Sequence, residues 1–410
     1  MRTWLLPLQT HYQRWVFRRQ FRRSFGWEQA QKDGLDVCLH TASMREGVGN
    51  ASRLDAVIAW LKEAQDACGG RGISACFRLG RGWDVPYPET SGYAMATFLA
   101  YGALSGQPEL AERAARIGDW EIDIQHESGG IRSEPNRPRT RVFNTGQVIL
   151  GWCAMYEATE EKRYLDAARR AGDYLCRLQA PDGRWVQDTY CGPRTYHARI
   201  DWALLRLSHL SREGRYEAAA ARNLRWVVEQ QLDNGWFGNC GFADDDPITH
   251  VLGYTLRGLL ECHAAACSRI RGMNVLERCR RMADAVCGLA DKPGVGGIPG
   301  MLPSSFDRRW NSRDPHSCLT GNAQLAICLY RLTQITGEGR YADAAERLVS
   351  AVKRAQVIGT ALAAVNGAIA GSYPPYHGYM SRAYPNWAAK FFADALMMQD
   401  NYRTGLALSA

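Results

Sequence analysis

Long apolar segments are missing from this sequence of 410 residues. It has no run of about 18 or more uncharged apolar residues, the minimum that a membrane-spanning helix needs. The first residues, MRTWLLPLQTHYQRWVFRRQFRRSFG, carry only a short apolar patch followed by basic residues, so they lack the apolar core of a secretory signal. These two absences predict a cytoplasmic protein.

Paired cysteine motifs are missing as well. The thirteen cysteines are odd in number, and none of them forms a CxxC pair. This pattern indicates a reducing compartment, in which cysteines serve as small buried apolar side chains. We therefore expect no disulfide framework, no metal site and no cofactor.

Acidic residues are fewer than basic ones, which gives a net charge of +8 and favours an acidic partner. No recognised nucleic-acid-binding module accompanies this charge, so nucleic acid is not expected as a partner. Part of the excess lies in residues 1–30, a basic amphipathic arm in which arginines alternate with Trp and Phe. Residues 1–26 suit peripheral contact with an anionic membrane, at its inner face. The alternatives are an arm that packs across the body and a tail without fixed structure.

A turn-like phrase recurs along the chain. The segments QHESGGI (125–131), QAPDGRW (179–185) and QLDNGWF (231–237) share Gln at the first place, Gly at the fifth and an apolar residue at the seventh. Their glycines are 54 and 52 residues apart, and weaker copies end at Ile73, Ile298 and Ile369. A period of this length is typical of an array of helical repeats.

Two kinds of helix alternate within the repeat. Segments such as RYLDAARR carry apolar residues at helical spacing and charges on the other side, which predicts outer helices with one wet face. Segments such as GQVILGWCAMYEAT are apolar on nearly every side, which predicts buried inner helices. The predicted inner helices are 92–104, 146–158, 198–210, 251–265, 321–335 and 386–398.

The first and last helices of the array lack partners in the sequence. An outer helix at 52–67 has no inner helix before it, and the inner helix at 386–398 has no outer helix after it. If these two pair, six hairpins close into a ring. The sequence therefore predicts an all-α (α/α)6 toroid over residues 50–400, with the repeated turn as its scaffold.

The long links between hairpins are the expected functional region. They lie on one rim, where the N-terminal ends of the six inner helices meet, and helix N-termini favour anionic or strongly polar ligands. The links are rich in Tyr, Trp, His and Arg. Aromatic faces suit sugar rings and arginines bind carboxylates, so we expect a rim cleft for an acidic oligo- or polysaccharide.

Several phrases give a resemblance to a known group. YPETSGY, FNTGQVILGW, TYHARIDWALLRL and AYPNWAAKFFADAL resemble segments of VpsJ-type proteins of bacterial polysaccharide-biosynthesis clusters. The resemblance implies a squalene-cyclase-like six-hairpin toroid with a role in exopolysaccharide biosynthesis, but it supplies no reaction. The D-x-D-D acid motif of squalene cyclases is missing, because Ala243 stands where its first Asp belongs.

A lyase or epimerase acting on a uronate is the favoured chemistry. It needs a group that neutralises the carboxylate, a base for the C5 proton and an acid for the leaving oxygen or the opposite face. The candidate catalytic residues are Glu89, Tyr196, His197, His250 and Tyr384. The candidate substrate-binding residues are Tyr87, Arg141, Asn144, Arg199, Asp307, Arg382, Asn386 and Lys390. Tyr196, His197 and Arg199 would have to meet Arg382, Tyr384 and Asn386 across the cleft.

Two other functions stay open at this point. A glycoside hydrolase needs two carboxyl groups, about 5–5.5 Å apart for retention or about 6.5–9.5 Å for inversion. The candidates are Asp84, Glu89, Asp188, Asp244, Asp245, Asp246 and Asp307. A non-catalytic glycan-binding scaffold would use the same cleft without turnover. Glu89 could instead be a helix-start carboxylate, and His197 a helix-cap histidine.

Overall fold

A computed structural model describes residues 5–25, 47–243 and 246–405 of the chain. Thirteen α-helices dominate these described residues. They are α1 (Leu5–Phe25), α2 (Asn50–Asp66), α3 (Pro88–Ser105), α4 (Glu109–Ile124), α5 (Val142–Thr159), α6 (Lys162–Leu178), α7 (Ala198–Ser211), α8 (Gly214–Glu229), α9 (Thr249–Ala264), α10 (Val275–Ala290), α11 (Leu319–Thr336), α12 (Gly339–Ala355) and α13 (Asn386–Thr404). The short strands are β1 (Cys76–Arg78), β2 (Gly82–Trp83), β3 (Ser317–Cys318), β4 (Ser372–Tyr373) and β5 (Ala383–Pro385).

Outer and inner helices alternate from α2 to α13, as the sequence predicts. The inner helix α5 is buried without interruption from Val142 to Cys153, whereas the outer helix α6 buries one side only, around Tyr164, Ala168 and Leu175. Each inner helix packs on the next, and α13 packs back on α3. The predicted (α/α)6 toroid is confirmed.

The ring closes where the first outer helix meets the last inner helix. Helix α2 packs along α13, which confirms the predicted pairing of 52–67 with 386–398. The Asn50 side-chain amide donates to Gln399 Oε1 at 2.9 Å and to Asp400 Oδ1 at 2.6 Å. Closure therefore joins segments that are about 350 residues apart in the sequence.

The recurring turn fastens one outer helix to the next. In the third copy, Gln179 Nε2 donates to the carbonyls of Gly183 and Ala219, each at 2.8 Å. Arg222 Nε on the next outer helix donates to Gln179 Oε1 at 3.1 Å. The turn needs Gly183 because its φ is +89° and a Cβ there would lie 2.6 Å from the carbonyl of Arg222. Gln65, Gln125, Gln231 and Gln356 make equivalent bonds.

Small antiparallel sheets join links on the rim that carries the inner-helix N-termini. Strand β1 pairs with β2 and with β5, and β3 pairs with β4. In the β1–β5 pair, Phe77 lies opposite Tyr384. The first and last links of the toroid are thus held together at the place where the ring closes.

Helix α1 packs on the toroid through phenylalanines. Phe17 and Phe21 are fully buried, and the ring of Phe17 lies 6.3 Å from that of Tyr376. Tyr12 and Trp15 stay 61% and 54% exposed on the other side. None of the helices among the described residues combines the length and apolar character that crossing a bilayer requires. Residues 1–4 and 26–46 lie outside the described residues, and the division into an arm (1–30) and a toroid (50–400) stays a prediction.

Candidate active site

The carboxyl group of Glu89 lies at the start of α3, beneath the rim. Tyr87 is the N-cap and Pro88 is the first helical residue, a position where the fixed φ of proline favours the helix start. Glu89 accepts hydrogen bonds from the Tyr87 hydroxyl at 3.1 Å and the Tyr254 hydroxyl at 3.4 Å. Its side chain is buried, with 8% of the residue exposed. The local sequence therefore places one acid between two phenols.

Burial gives this carboxyl an unusual acidity. Loss of solvent raises the pKa of Glu89 to about 7, although the hydrogen bonds from Tyr87 and Tyr254 and the charge of Arg199 act in the opposite direction. A carboxyl group with this pKa exists in both protonation states near neutral pH. It can therefore donate or accept a proton, as general acid–base catalysis requires.

A hydrogen-bonded network extends from Glu89 toward the surface. The hydroxyls of Tyr87 and Tyr190 lie 2.6 Å apart, and the Tyr190 hydroxyl donates to Asn144 Oδ1 at 2.9 Å. The guanidinium of Arg141 lies 4.8 Å from the centre of the Tyr190 ring, which is 40% exposed. We call Tyr87, Glu89, Asn144, Tyr190 and Tyr254 the Glu89 cluster.

The cluster unites three predicted residues, Tyr87, Glu89 and Asn144, and a fourth, Arg141, lies beside it over the Tyr190 ring, but two tyrosines were missed. Tyr190 lies in one of the aromatic-rich links that were predicted to carry the site. Tyr254 follows His250 by four residues on α9, which is the spacing that puts two side chains on one helix face. That spacing is the signal that could have found Tyr254.

The His250 ring sits in an aromatic cage beside the cluster. Its centre is 4.5 Å from that of Tyr254, 5.6 Å from Tyr379 and 5.8 Å from Phe242. Neither ring nitrogen has a hydrogen-bond partner among the described residues. Burial, followed by the charge of Arg199, lowers the pKa of His250 to about 3, so the imidazole is neutral. It can exchange hydrogen bonds with a ligand as a neutral donor and acceptor.

Tyr196 lies at the edge of the aromatic cage around His250, because both rings contact Phe242. Its ring lies 5.1 Å from Phe143 and 5.9 Å from Phe242. His197 does not turn toward the cluster. Its Nδ1 accepts the backbone N–H of Arg194 at 3.4 Å, and its ring packs on Trp185 in the core. The Nδ1 bond is the one expected of a helix-cap histidine, whereas the buried Nε2 has no hydrogen-bond partner among the described residues.

The segment from Arg382 to Asn386 contacts the link between α2 and α3. It was expected to contact Tyr196 and His197. Asn386 Nδ2 donates to the carbonyl of Ser74 at 2.9 Å, and the carbonyl of Arg382 accepts the Leu79 N–H at 3.0 Å. Tyr384 is buried in the β1–β5 pair. Their described contacts thus hold the ring closed, which differs from the expected meeting across a cleft.

Arg199 and Lys390 also depart from the expectation, because both line a cavity at the opposite end of the toroid. Arg199 Nε donates to Gln147 Oε1 at 2.7 Å, and its guanidinium lies 5.3 Å from the Trp202 ring. Lys390 forms an ion pair with Asp394 on the next turn of α13. Long side chains let residues near a helix N-terminus reach toward the other end of the toroid.

Asp307 lies in a separate rim cavity of about 760 Å³. It accepts backbone N–H bonds from Asn311 at 2.9 Å and Arg309 at 2.8 Å, and these hydrogen bonds lower the pKa of its carboxyl. We call this cavity the arginine pocket, after the basic residues that line it. They are Arg194, Arg308, Arg309 and Arg313.

The arginine pocket and the Glu89 cluster share a loop. Asn239, Cys240, Gly241 and Ala243 line the pocket, while Phe242 between them contacts Tyr196 and His250. The loop around Phe242 therefore links the arginine pocket to the aromatic region beside the buried Glu89 carboxyl.

The other candidate carboxylates have different neighbours. Asp84 pairs with Arg78 at 2.7 Å, and Asp188 accepts hydroxyl bonds from Thr140 and Tyr174. Asp246 lines the arginine pocket, and Asp244 and Asp245 lie outside the described residues. Within the described residues, no group of three or more His, Cys, Asp or Glu side chains lies close enough together to hold a metal ion.

Comparison with known proteins adds one distant sequence relative. No family model matches the chain. The ent-copalyl diphosphate synthase of Streptomyces sp. (strain KO-3988) is 30% identical over 172 residues, which are 42% of this chain and 29% of that enzyme. The chain thus matches less than a third of the length of that relative.

Solved structures share the fold over nearly their whole length. An unsaturated glucuronyl hydrolase specific for heparin has a TM-score of 0.67 at 12% identity, over 87% of this chain and 98% of that one. A polysaccharide lyase gives 0.61 at 13%, and a sugar epimerase from a ruminal bacterium gives 0.64 at 12%, each over 88% of this chain and 99% of the other. At such identities the likeness establishes the (α/α)6 toroid alone.

Proposed function

We propose that this chain is a carbohydrate-active enzyme that acts on an acidic oligo- or polysaccharide at the rim, with Glu89 as its acid–base residue. The observation that carries the proposal is a buried carboxyl with a pKa of about 7, bonded to Tyr87 and Tyr254 below exposed aromatic rings. Tyr190 and Phe242 are 40% and 39% exposed and offer faces to a sugar ring. Sharing a fold with a glucuronyl hydrolase, a polysaccharide lyase and a sugar epimerase supports the same substrate class.

The acidic character of the substrate is inferred from the basic groups around the cluster. Arg141 lies over Tyr190, so a sugar stacked nearby would bring a carboxylate within reach of a guanidinium. The arginine pocket offers further cations for a neighbouring acidic residue of a polymer. Both features favour a chain of uronates over a neutral glycan.

A lyase or epimerase fits this arrangement best. Glu89 takes the C5 proton of a uronate whose carboxylate is bound by Arg141. In a lyase, the C4–O bond then breaks and a tyrosine hydroxyl of the cluster protonates the leaving oxygen. In an epimerase, the C4–O bond stays intact, a tyrosine hydroxyl on the opposite face donates its proton to C5, and the proton on Glu89 passes back to that tyrosine. The Tyr254 hydroxyl, 3.4 Å from Glu89 and 3.3 Å from the Tyr93 hydroxyl, can carry protons between these groups.

A hydrolase with paired carboxylates has less support. The described hydrogen bonds of Glu89 come from two tyrosines, and Arg199 is the charged group that acts on its pKa. Among the described candidates, Asp84 pairs with Arg78, and Asp188 is bonded to Thr140 and Tyr174. The products of the reaction distinguish this alternative, and intact binding without product would indicate a scaffold.

We further propose a role in exopolysaccharide biosynthesis, as in the VpsJ-type proteins, at the cytoplasmic side of a membrane. The exposed side of α1 carries Tyr12 and Trp15, and the Arg19 guanidinium lies 5.6 Å from the Trp15 ring. Aromatic and basic side chains together suit an anionic lipid surface, so residues 1–26 are the proposed peripheral contact.

The reaction is tested by incubating the protein with uronate-containing polysaccharides and analysing the products by mass and ultraviolet absorbance. Unsaturated ends without added water identify a lyase, deuterium uptake without cleavage an epimerase, and added water a hydrolase. Glu89→Gln should lower turnover at least about a hundredfold, because it removes the acid–base group. Glu127→Gln, the same change at an exposed turn residue, is the control. Binding of the polysaccharide with no change in product mass, ultraviolet absorbance or deuterium content would contradict the enzyme proposal.

A further inference from the structure

A second large cavity opens at the C-terminal ends of the inner helices, away from the rim. Its volume is about 1110 Å³, which is ample for an organic ligand. All six inner helices line it, through residues that include Thr97, Ala154, Trp202, Arg257, Gln324 and Lys390. We call it the central cavity.

A layer of tyrosines separates the central cavity from the Glu89 cluster. The hydroxyls of Tyr93 and Tyr254 lie 3.3 Å apart, and Tyr254 also contacts Glu89. On the cavity side, the Arg199 guanidinium lies 4.9 Å from the Tyr254 ring and 5.8 Å from the Tyr93 ring. The two sites therefore lie on opposite sides of the Tyr93 and Tyr254 rings.

Unsatisfied polar groups at the inner end of the cavity point to a ligand. Gln324 is 2% exposed, and within the described part of the chain neither its Oε1 nor its Nε2 has a hydrogen-bond partner. Nε of Arg257, which also lines the cavity, likewise has no hydrogen-bond partner among the described residues. A buried amide without partners destabilises the protein, and a bound polar group would remove that cost.

The charges in the cavity favour an anion. Arg257 and Arg331 share the single carboxylate of Glu261, at 2.9 and 3.1 Å. The bond from Arg199 Nε goes to Gln147, a neutral amide. Six Arg and Lys side chains line the cavity against the four carboxylates of Glu157, Glu217, Glu261 and Asp394. Partly buried cations in excess of carboxylates are costly unless an anion joins them.

The walls between the inner end and the mouth carry apolar side chains, whereas the mouth is edged by charged residues that pair with one another, as Arg206 does with Glu157. Arg199 and Gln324 lie near the N-terminal ends of α7 and α11, so they mark the inner end. Leu99, Leu205 and Met397 lie closer to the C-terminal ends of their helices and form the apolar part of the wall. A ligand that satisfies both regions has a charged head and an apolar body.

We propose that the central cavity is a second ligand site, which binds an organic anion with a carboxylate or phosphate head at Arg199 and Gln324 and an apolar body along the apolar part of the wall. This site does not depend on the reaction at the rim. It would let the protein bind an amphiphilic anion at one end of the toroid and a glycan at the other.

The test is calorimetric titration of the full chain with decanoate and with decyl phosphate, kept below their micellar concentrations. We expect saturable binding of one molecule, at least about tenfold tighter than glucuronate or inorganic phosphate. Gln324→Leu should weaken it about tenfold through the lost bonds to a charged head. Ala96→Phe, which fills the cavity from α3, should abolish it, and Ala111→Phe on the exposed side of α4 should not change it.

Three results would overturn the proposal. They are the absence of saturable binding for both amphiphiles, binding that both Gln324→Leu and Ala96→Phe leave intact, and glucuronate or phosphate that binds as tightly as the amphiphiles. The two variants change different walls, so a folding defect in one, checked by thermal melting, leaves the other as the test.

Discussion

Glu121, on the outer helix α4, carries a buried carboxyl group. It is fully buried, and neither carboxyl oxygen has a hydrogen-bond partner among the residues described. It stands four residues before the turn glutamine Gln125, where the corresponding positions of α6 and α8 are the buried Leu175 and Val227. Burial raises the pKa of Glu121 well above its ordinary value of 4.5.

Glu121→Leu should therefore stabilise the protein. We expect the free energy of unfolding to rise by about 1–3 kcal/mol at neutral pH, because an unsatisfied buried polar group is removed. Since the folded state holds the proton more tightly than the unfolded state, this carboxyl destabilises the fold increasingly as pH rises above 4.5. Urea unfolding at pH values near 5 and near 8 should show the larger gain at the higher pH. An equal gain at both would contradict the assigned protonation.

The carboxyl of Glu89 should titrate near neutral pH in the free protein. Carbon NMR of labelled glutamate carboxyl groups, assigned with Glu89→Gln, measures this pKa without a substrate. Tyr87→Phe should raise it above its value of about 7, because the Tyr87 hydroxyl bond favours the charged form. Tyr402→Phe, which removes an exposed hydroxyl near the C-terminal end of α13, is the control. Titration near 4.5 would remove the basis of the proposed acid–base role.

Among the elements, the recurring turn is held by close contact with the next outer helix. We expect Gly183→Ala to destabilise the protein more than Gly192→Ala, although both glycines have positive φ, +89° and +81°. A Cβ at Gly183 would meet Arg222 at 2.6 Å, whereas a Cβ at Gly192 has nothing within 4 Å. The backbone strain, about 1–2 kcal/mol, is common to both, so the difference in unfolding free energy measures the contact. Equal losses would mean that the contact relaxes freely.

Helix α1 should be separable from the toroid. Removing residues 1–26 should leave cooperative unfolding, because the six hairpins close the ring without it. The protein should still lose stability, about 1.5–3 kcal/mol for each of the buried Phe17 and Phe21. It should also sediment less with anionic liposomes. A variant with Arg19, Arg22 and Arg23 changed to Gln separates the two effects, since it should lose liposome binding but keep stability. A truncated protein that fails to fold would show that α1 belongs to the core.

At the scale of the whole molecule, stability depends on ring closure. Arg53 on α2 is buried, and its Nη1 donates to the Lys353 carbonyl at 2.9 Å and to Gln356 Oε1 at 3.3 Å. Arg53→Met should lower the free energy of unfolding by about 1–3 kcal/mol, because buried acceptors lose their donor. Arg170→Met, at the equivalent but exposed bond to Gln125, should cost much less. Guanidinium unfolding compares them, and equal losses would argue against a special role for closure.

The architecture could be predicted from the sequence because its signals are local. Apolar spacing separates α5 from α6, and a glycine with positive φ marks each return of the chain. Even closure followed from local patterns, since 52–67 and 386–398 each lacked a partner in the sequence. For the candidate site, the positions of Tyr87, Glu89, Arg141 and Asn144 in the links between hairpins predicted that these residues lie close together.

The directions of the side chains and the groups around them could be seen only in the folded structure. Arg199 reaches the central cavity because its long side chain passes the tyrosine layer, whereas His197 beside it faces Trp185 in the core. The acidity of Glu89 depends on desolvation by elements far apart in the chain, and so does the neutrality of His250. Periodicity determines which face of a helix is buried, but the direction of a side chain and the polarity around it arise only when all six hairpins pack.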